Sequence, residues 1–560
     1  MVNHIKETAH ILARALVAYG VTDVFSSPGS RDTPLIVAFN RSEGLSVSPV
    51  IDERSAAFIA LGNALISQRP VALVCTSGTA LLNYAPAVAE AYYRKIPLII
   101  ISADRPAHWI GQDDSQTLVQ PGALANFVKK SYNLKGEIDN EHERWLVNRT
   151  LNEALQTALN GRRGPIHINV SFDEPLSSEE PFDFKSTFKK IDLCLPSPKL
   201  DIEDAKILAA EASTEKILIV GGFCRPSGEM SQAFAKLVNL PNVTVVADAL
   251  ANLNVDGVLS KPDIFIDSEL LNKPESRPTL LITFGGSLLS KKLKVYLRKK
   301  NISSHWHVGA NDSVIDSYFS LTRRIEIDES CFFPRFTNAL EYVTHSIDYN
   351  SRQDSSLYKA LWQEAAFREE GAVSTTCINS ESDRLTDRQA VHSVLSALPK
   401  EWNLQLSNGL TPRLAVTGDA CRFHRRDCNR GVSGIDGSVS TALGASLPYN
   451  GTTVLLTGDM SMQYDIAALS SPLLSPKLKI VVINNGGGGI FRKIASTKSL
   501  PELDRYFVCE LRLPLKQLAT AYGLAYYKAE SGNELTSALS EFIEESSNPA
   551  LLEILTTDIK

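Results

Sequence analysis

Two polar residues that each follow a buried apolar strand, Asp459 and Asn485, have the side-chain chemistry of metal ligands. Asp459 ends the run VLLTGD, and Asn485 ends the run KIVVINN, 26 residues further along the chain. Open α/β sheets bind ligands at the carboxyl ends of their strands. A carboxylate, an amide oxygen and a backbone carbonyl such as that of Gly487 are hard oxygen donors, which suit Mg²⁺. The spacing predicts a magnesium site at this sheet edge, although either turn alone is also typical of an ordinary strand end.

The same stretch has the features of a diphosphate-binding site. The run NNGGGGIF supplies glycines that let the backbone approach an anion closely. A helix is predicted directly after Asp459, and a helix N-terminus favours negative charge. The stretch therefore predicts a metal ion and a diphosphate bound side by side.

A third acidic residue, Glu53, stands in the run SPVIDERSAAFIALGNAL, between a predicted strand at Val50–Ile51 and a predicted helix. In most proteins an acidic residue at a helix start is a structural charge that interacts favourably with the helix dipole. Taken alone, Glu53 therefore has an ordinary structural explanation.

Basic residues recur where strand ends are predicted to converge, and they suit the carboxylates of small anionic substrates. Guanidinium groups bind carboxylates through two parallel hydrogen bonds and keep their charge. The candidates are Arg31 in SPGSR, Arg105 in ADRP, Lys291 and Lys292 in SLLSKK, Arg413 in NGLTPR and Arg430 in NRGVSG. Any one of them, taken alone, is more often a solvated surface charge.

Three α/β segments carry these residues. Apolar runs without alternation, such as VALVC and PLIIIS, are typical of parallel strands covered on both faces. The pattern predicts a helix over Ile5–Tyr19 and strands at Val21–Phe25, Val71–Cys75, Pro97–Ser102 and Ile166–Val170. Composition places the domains at 1–180, 195–350 and 380–560, with an acidic, Pro- and Ser-rich linker after the first. We expect an α/β protein with three open parallel sheets.

Length and charge narrow the class of protein. A chain of 560 residues is long enough for several cores, and its net charge of −6 argues against nucleic acid or an acidic membrane surface as a partner. The absence of a signal-peptide pattern and of a long apolar stretch predicts a cytoplasmic protein without membrane association. The eight cysteines show no disulfide pattern, and Cys421, His424 and Cys428 form only an incomplete zinc motif.

Together the motifs resemble those of thiamine-diphosphate (ThDP) enzymes. The GD…NN spacing is similar to their diphosphate- and metal-binding motif, with Met460 in place of its second glycine. The runs GSR, DERSA and TSGTALLNYAPAVAEAYY resemble their pyrimidine-binding domain. Over nearly the whole chain, SSPGSRDTPL, ISADRP, NRGVSGIDGSVSTALG and NNGGGGIF resemble the 2-succinyl-5-enolpyruvyl-6-hydroxy-3-cyclohexene-1-carboxylate (SEPHCHC) synthase family.

The resemblance implies ThDP and Mg²⁺ (or Mn²⁺ in its place) as cofactors, and 2-oxoglutarate and isochorismate as substrates. Glu53 would hydrogen-bond to N1′ of the aminopyrimidine, and Gln116 would assist proton transfer. Asp459, Asn485 and the carbonyl of Gly487 would bind the metal. The remaining implied cofactor contacts are Ser433, Gly434, Ile435 and Ile490, and the implied substrate contacts are Arg31, Arg105, Gln116, Lys291, Lys292, Arg413, Arg430 and Phe491.

The resemblance also implies a homodimer, or a pair of such dimers, in which Glu53 of one chain and Asp459 of the other build each active site. The chain departs from the family pattern at Lys292, where some relatives have Arg, and at Gly409, where many have Ser.

Three alternatives remain from the residues alone. An acetolactate synthase or simple 2-oxo acid decarboxylase would not need so many cations. A ThDP-fold protein without catalysis would not need Glu53, Asp459 and Asn485 together. A nicotinamide oxidoreductase is disfavoured because the glycine pairs of the central segment do not complete G-x-G-x-x-G.

Overall fold

The structure is a computed structural model that describes residues 6–176, 187–194, 199–310, 313–344, 349–376 and 385–557. Its named strands form three sheets, and each strand pairing in them is parallel. The predicted α/β class with three open parallel sheets is confirmed. The expected domain boundaries near residues 180, 195 and 380 lie outside the described residues and stay predictions.

The first sheet has the strand order β2-β1-β3-β4-β6-β5. Its strands are β1 (Asp23–Ser27), β2 (Ser46–Pro49), β3 (Val71–Cys75), β4 (Leu98–Asp104), β5 (Ser131–Lys135) and β6 (Ile166–Ser171). Its helices are α1 (Glu7–Ala18), α2 (Thr33–Asn40), α3 (Glu53–Ser67), α4 (Ala80–Asn83), α5 (Ala85–Tyr93) and α6 (Glu141–Leu159). Leu73 of β3 enters the core on one face of the sheet and Val74 the core on the other, which is why VALVC lacks polar alternation.

The central sheet has the order β11-β10-β9-β7-β8. Its strands are β7 (Ile217–Gly221), β8 (Val243–Ala247), β9 (Leu280–Phe284), β10 (Ser304–Val308) and β11 (Arg323–Ile325). Its helices are α7 (Ile202–Ser213), α8 (Gly228–Leu237), α9 (Pro262–Phe265), α10 (Lys291–Lys299), α11 (Glu329–Thr344) and α12 (Tyr349–Thr376). Alternate residues of β7, Leu218 and Ile219, again enter separate cores.

The third sheet has the order β13-β12-β14-β15-β17-β16. Its strands are β12 (Asn403–Leu406), β13 (Arg425–Cys428), β14 (Thr453–Gly458), β15 (Leu478–Asn484), β16 (Ala525–Ala529) and β17 (Ala550–Leu555). Its helices are α13 (Asp387–Ala397), α14 (Thr411–Thr417), α15 (Ser438–Ser446), α16 (Asp459–Tyr464), α17 (Ile490–Lys493), α18 (Leu515–Ala521) and α19 (Gly532–Ile543). Because β14 and β15 are adjacent and parallel, Asp459 and Asn485 emerge at the same edge.

The first and third domains share a core in which α3 packs against α15. A Cβ atom at Gly62 would overlap the carbonyl oxygen of Thr441, and one at Gly444 would overlap the carbonyl oxygen of Ile59. The two helices therefore touch backbone to backbone. This contact fixes the helix that begins with Glu53 against the third domain of its own chain.

The expected elements agree with the structure except before Glu53. Strand β3 has the predicted bounds, and the predicted helix over residues 5–19 is seen as α1. The prediction of a strand at Val50–Ile51 is wrong, because β2 ends at Pro49 and Ile51 is 88% exposed. The chain turns there since Asp52 caps α3, its carboxylate accepting a hydrogen bond from the Ser55 N–H.

No helix in the described ranges combines the length and the apolar character needed to cross a bilayer.

Candidate active site

The structure brings Asp459 and the glycine-rich turn together at the carboxyl edge of the third sheet. The Asp459 carboxylate is 2% exposed and accepts hydrogen bonds from the backbone N–H groups of Gly487 at 2.8 Å and Met460 at 2.7 Å. Burial raises the pKa of Asp459 to about 6, and these hydrogen bonds oppose the rise. A cation bound here would compensate the buried negative charge.

Asn485 lies beside this carboxylate with one buried acceptor unused. Its side chain donates to the Asp387 carboxylate at 3.1 Å, while its Oδ1 has no hydrogen-bond partner among the described residues. Asp387 is fully buried at the start of α13 and also accepts from the Thr556 hydroxyl at 2.6 Å. Asp387 therefore fixes the Asn485 amide so that its oxygen remains available. Sequence reasoning missed this residue, and the acidic start of the TDRQ capping box was its signal.

The backbone of Gly487 completes the donor set. Its φ is +148°, and a Cβ atom there would lie 2.6 Å from the Val508 carbonyl oxygen, so only glycine fits. The carboxylate at the start of α16, with the unpaired amide oxygen and the glycine carbonyl in the turn after β15, matches the oxygen ligands of Mg²⁺. The residues thus fit a divalent cation and the diphosphate that it would hold.

The loop 429–435 lies close to this edge. The Ser461 hydroxyl, in the helix that Asp459 begins, donates to the Ile435 carbonyl oxygen at 3.0 Å. The buried Asn408 amide donates to the carbonyl oxygens of Asn429 at 2.6 Å and Gly434 at 2.7 Å. These contacts fix the segment that includes the predicted cofactor contacts Ser433, Gly434 and Ile435. Ser433 has a φ of +64° and is exposed.

Glu53 is the first residue of α3, and its Oε2 accepts a hydrogen bond from the Asn83 amide at 3.1 Å. Large apolar side chains near it are open to solvent, with Ile51 88% and Leu82 44% exposed. Within one chain, Glu53 and Asp459 are attached to separate helices of different domains, α3 and α16.

Two of the predicted substrate arginines lie in one cationic cluster. Arg430 donates to the Asn408 Oδ1 at 3.1 Å, which orients its guanidinium group. The half-buried Lys294 has its pKa lowered by burial and by neighbouring cations, which include Arg430 and Arg413. Lys294 therefore belongs to the cluster, and sequence reasoning missed it.

The lysine pair at the start of α10 lies differently. Lys291 and Lys292 are both exposed, and Lys292 forms an ion pair with Asp267 at 2.6 Å. Because residues three and four positions apart share a helix face, Lys294 shares the face of Lys291 but not that of Lys292. The structure therefore associates Lys294 with the arginine cluster and Lys292 with an acidic surface partner.

The other predicted substrate contacts follow strands of the first sheet. Arg31 is 5% exposed, donates to the Phe172 carbonyl oxygen at 3.1 Å and pairs with Glu174 at 3.1 Å. Arg105 pairs with Asp114 at 2.8 Å. Gln116 is exposed, and its φ of +59° holds it in a tight turn. Both arginines therefore have an acidic partner within the first domain.

Two apolar residues complete the predicted set. Ile490 and Phe491 are half-buried at the start of α17, directly after the glycine turn, and the Phe491 and Phe507 ring centroids are 5.6 Å apart. The thiols of Cys421 and Cys428, which the incomplete zinc motif includes, instead donate to the Ser260 carbonyl and to Asn408. Within the described ranges no three His, Cys, Asp or Glu side chains cluster as metal ligands.

Comparison with known proteins agrees with this arrangement. Models of thiamine pyrophosphate (ThDP) enzymes match three parts of the chain: the N-terminal TPP binding domain at residues 6–124, the middle domain at 210–406 and the C-terminal TPP binding domain at 420–554. The protein is therefore a three-domain ThDP-dependent enzyme.

Full-length relatives narrow the class. The chain is 37% identical over 557 residues to the SEPHCHC synthase of Porphyromonas gingivalis, covering 98% of this chain and 94% of that one. It is 36% identical to the enzyme of the same name from Cytophaga hutchinsonii, covering 97% of this chain and 95% of that one. It is 34% identical to the enzyme of the same name from Desulfotalea psychrophila, and the match covers 100% of this chain and 99% of that one. The chain belongs to the SEPHCHC synthase family.

Proposed function

We propose that this protein decarboxylates 2-oxoglutarate and adds the remaining four-carbon acyl anion to isochorismate, which gives SEPHCHC and CO₂ in menaquinone biosynthesis. The choice of substrates rests on the chain's membership of the SEPHCHC synthase family, and a local cluster of basic residues around Arg430, which Asn408 orients, suits them. Both substrates are dicarboxylates, and a chain of net charge −6 must bind them through such a local cluster.

The cofactors of the proposed reaction are ThDP and Mg²⁺, with Mn²⁺ as an equivalent ion. ThDP supplies, when bound, a carbon nucleophile and a place for the electron pair that CO₂ leaves behind. Asp459, Asn485 and the Gly487 carbonyl would hold the metal, and the unpaired Asn485 oxygen supports this role. The hydrogen bond that the Asn485 amide donates to the Asp387 carboxylate keeps that oxygen oriented.

Glu53 would share a proton with N1′ of the aminopyrimidine, as the resemblance implies. Its hydrogen bond from Asn83 leaves the other carboxylate oxygen available. Gln116 would support proton transfer to the second substrate. The half-buried Ile435, Ile490 and Phe491 would keep water from the reacting carbon, and a low local dielectric favours loss of CO₂ from a charged precursor.

The substrate carboxylates would pair with the basic side chains. Arg413 and Arg430, joined by Lys294, would bind isochorismate, since they adjoin the loop that runs on to Ile435. Arg31, Arg105, Lys291 and Lys292 complete the proposed set. Each charge-assisted pair in a desolvated site is stronger than its surface equivalent.

The working unit would be a homodimer, or two such dimers, with each active site shared between two chains. The exposed apolar side chains of Ile51 and Leu82 beside Glu53 support this proposal, since a partner chain would cover them. The partner would bring its own Asp459 edge to this Glu53.

The test is mass spectrometry of the products formed from 2-oxoglutarate and isochorismate with ThDP and Mg²⁺. We expect the mass of SEPHCHC, with one CO₂ released per molecule. Reactions without isochorismate, and with pyruvate in place of 2-oxoglutarate, are the controls. Acetolactate from pyruvate, or an aldehyde as sole product, would instead favour the acetolactate synthase or decarboxylase alternative. A bound chromophore that absorbs beyond the protein band would point to a nicotinamide or flavin enzyme.

A further inference from the structure

We infer that Glu90, a buried residue of the first domain, is a positioning residue that fixes the third-domain loop of Arg430. This loop, residues 429–435, also includes the predicted cofactor contacts Ser433 to Ile435. The inference deepens the proposed function and rests on it for the substrate that Arg430 binds.

The Glu90 carboxylate accepts two backbone hydrogen bonds from the loop. Glu90 lies in α5 and is 1% exposed. Its Oε1 accepts from the Gly431 N–H at 2.7 Å, and its Oε2 accepts from the Val432 N–H at 2.7 Å. Hydrogen bonds to an ionised acceptor are about twice as strong as neutral ones. Two adjacent amides are thus held by both oxygens of one side chain.

The loop sequence fits this contact closely. A Cβ atom at Gly431 would lie 2.7 Å from the Glu90 carbonyl oxygen and 3.0 Å from its carboxylate. Only glycine at this position lets the loop backbone approach α5. The contact joins residues 341 positions apart in sequence, in two different domains.

A buried charge needs a partner, and Arg94 supplies it one helical turn later. Its guanidinium lies 3.9 Å from Glu90 and 3.6 Å from Asp427, and all three side chains are at most 3% exposed. It also lies 4.3 Å above the Phe223 ring of the central domain. Arg94 therefore places a positive charge near the Glu90 carboxylate, in a site where an isolated buried charge would be costly.

The loop is therefore held from two sides. Asn408 binds the carbonyl oxygens of Asn429 and Gly434 from within the third domain. Glu90 binds the N–H groups between them from the first domain. Arg430 precedes the Glu90-bound pair, and its guanidinium depends on Asn408 for orientation. Loss of Glu90 would release the loop segment that sets the backbone position of Arg430.

The experiment compares Glu90→Gln and Glu90→Asp with Glu329→Gln in the full-length protein. Glu329 is the control, because it is a half-buried carboxylate that also accepts a glycine N–H, that of Gly285 at 3.2 Å, but in the central domain. Deuterium exchange of a peptide spanning 429–436 should be at least about 10-fold faster in Glu90→Gln and unchanged in Glu329→Gln. Glu90→Asp retains the charge and should restore part of the protection.

Kinetics test the link to Arg430. Glu90→Gln should lower kcat/KM for isochorismate roughly 10–100-fold, because small displacements of a binding group have effects of this size. The rate of CO₂ release from 2-oxoglutarate in the absence of isochorismate should change by about 3-fold or less. In an Arg430→Ala background the effect of Glu90→Gln should shrink, since residues that act through one another are not additive.

Two outcomes would overturn the inference. One is unchanged exchange of the loop in Glu90→Gln; the other is fully additive kinetic effects of the two substitutions. If the wild-type protein formed no product from 2-oxoglutarate and isochorismate, the proposed substrates would be wrong. The loop contact would still hold if deuterium exchange of the loop were faster in Glu90→Gln than in the wild type. If Glu90→Gln fails to fold, Glu90→Asp carries the same two measurements.

Discussion

The Arg54 guanidinium donates to the Tyr464 carbonyl oxygen at 2.9 Å and lies 5.0 Å from the centre of the Tyr464 ring. Arg54 follows Glu53 at the start of α3, and Tyr464 ends the helix that begins with Asp459. Within one chain, the start of α3 therefore meets the end of α16 that lies away from the proposed metal site. Tyr464 is five positions after Asp459 in the helix, about 7–8 Å further along its axis.

Replacement of the proposed activator, Glu53→Gln, should reduce turnover at least about 100-fold while ThDP still binds. The amide keeps the shape of the side chain but cannot share a proton with N1′, so kcat should fall more than cofactor affinity. Hydrogen–deuterium exchange at the cofactor C2, followed by NMR, measures this step. Glu141→Gln is a matched control, because Glu141 is also the first residue of its helix. Wild-type exchange in Glu53→Gln would remove the assignment.

Loss of the proposed metal ligand, Asp459→Ala, should weaken ThDP binding, and chelation of the wild type should have the same effect. Because a metal ligand contributes to binding, excess Mg²⁺ and ThDP should restore part of the activity by mass action. Isothermal titration of ThDP at several Mg²⁺ concentrations measures the change. Asp192→Ala, whose side chain is 90% exposed, is the control. An unaltered ThDP affinity in Asp459→Ala would contradict the ligand role.

The cation cluster should act in the second half of the reaction. Arg413→Ala or Arg430→Ala should impair addition to isochorismate more than loss of CO₂, by about 2–4 kcal/mol for one charge-assisted pair. Stopped-flow circular dichroism follows the two halves separately. An equal decrease in the rates of CO₂ loss and of addition would argue against a role of these arginines in the second half of the reaction.

Stability should depend on pH through Asp465, which is fully buried and accepts hydrogen bonds from the Ser440 N–H at 2.6 Å and hydroxyl at 2.8 Å. Burial raises the pKa of Asp465 to about 7; the Ser440 bonds and Arg54 oppose this rise, and Asp52 adds to it. The folded state therefore binds this proton more tightly than the unfolded state. The associated stability is present below about pH 4 and is lost as the pH rises through about 7.

Asp465→Asn should imitate the protonated form. At pH 8 the variant should unfold at a higher temperature than the wild type. Its free energy of unfolding should be larger by on the order of 1–3 kcal/mol, and this difference should shrink towards pH 5. Thermal unfolding across this pH range measures the effect. Asp267→Asn, with a side chain 69% exposed, should leave the profile unchanged. A destabilised Asp465→Asn at pH 8 would mean that the ionised carboxylate is favourable there.

The sequence predicted what depends on local pattern. Strand β3 was predictable because its apolar run has no polar alternation. The position of Asp459 at the edge of a sheet was predictable because this residue directly follows a short apolar strand. Contacts between distant segments were not predictable in this way. Asp387 meets Asn485 from 98 residues away, and no local spacing encodes that approach.

Two differences have local physical reasons. The strand expected at Val50–Ile51 fails because the Asp52 cap starts α3 and turns Ile51 to solvent. In the SLLSKK run, the phase of α10 decides which lysine enters the cluster. That phase depends on Ser290, whose hydroxyl accepts from the Leu293 N–H at 3.0 Å and so starts the helix. Lys294 then lies among the cations, on the helix face that Lys291 shares and Lys292 does not.

The last prediction concerns shared active sites. If Glu53 of one chain and Asp459 of the other serve each site, two inactive variants should complement each other. Glu53→Gln and Asp459→Ala chains, mixed unfolded and refolded together, should form about half heterodimers. In each heterodimer one site receives both substitutions and the other receives none, so about a quarter of wild-type activity should return.

The opposite arrangement gives a different result. If both residues served a site from the same chain, each site would contain one substitution and no activity would return. Excess Mg²⁺ and ThDP must be kept out of the assay, since they would partly rescue Asp459→Ala homodimers. Native mass spectrometry should verify that heterodimers form. Heterodimers without activity would therefore rule out the shared site, whereas recovery near a quarter would place Glu53 and Asp459 on opposite chains of each site.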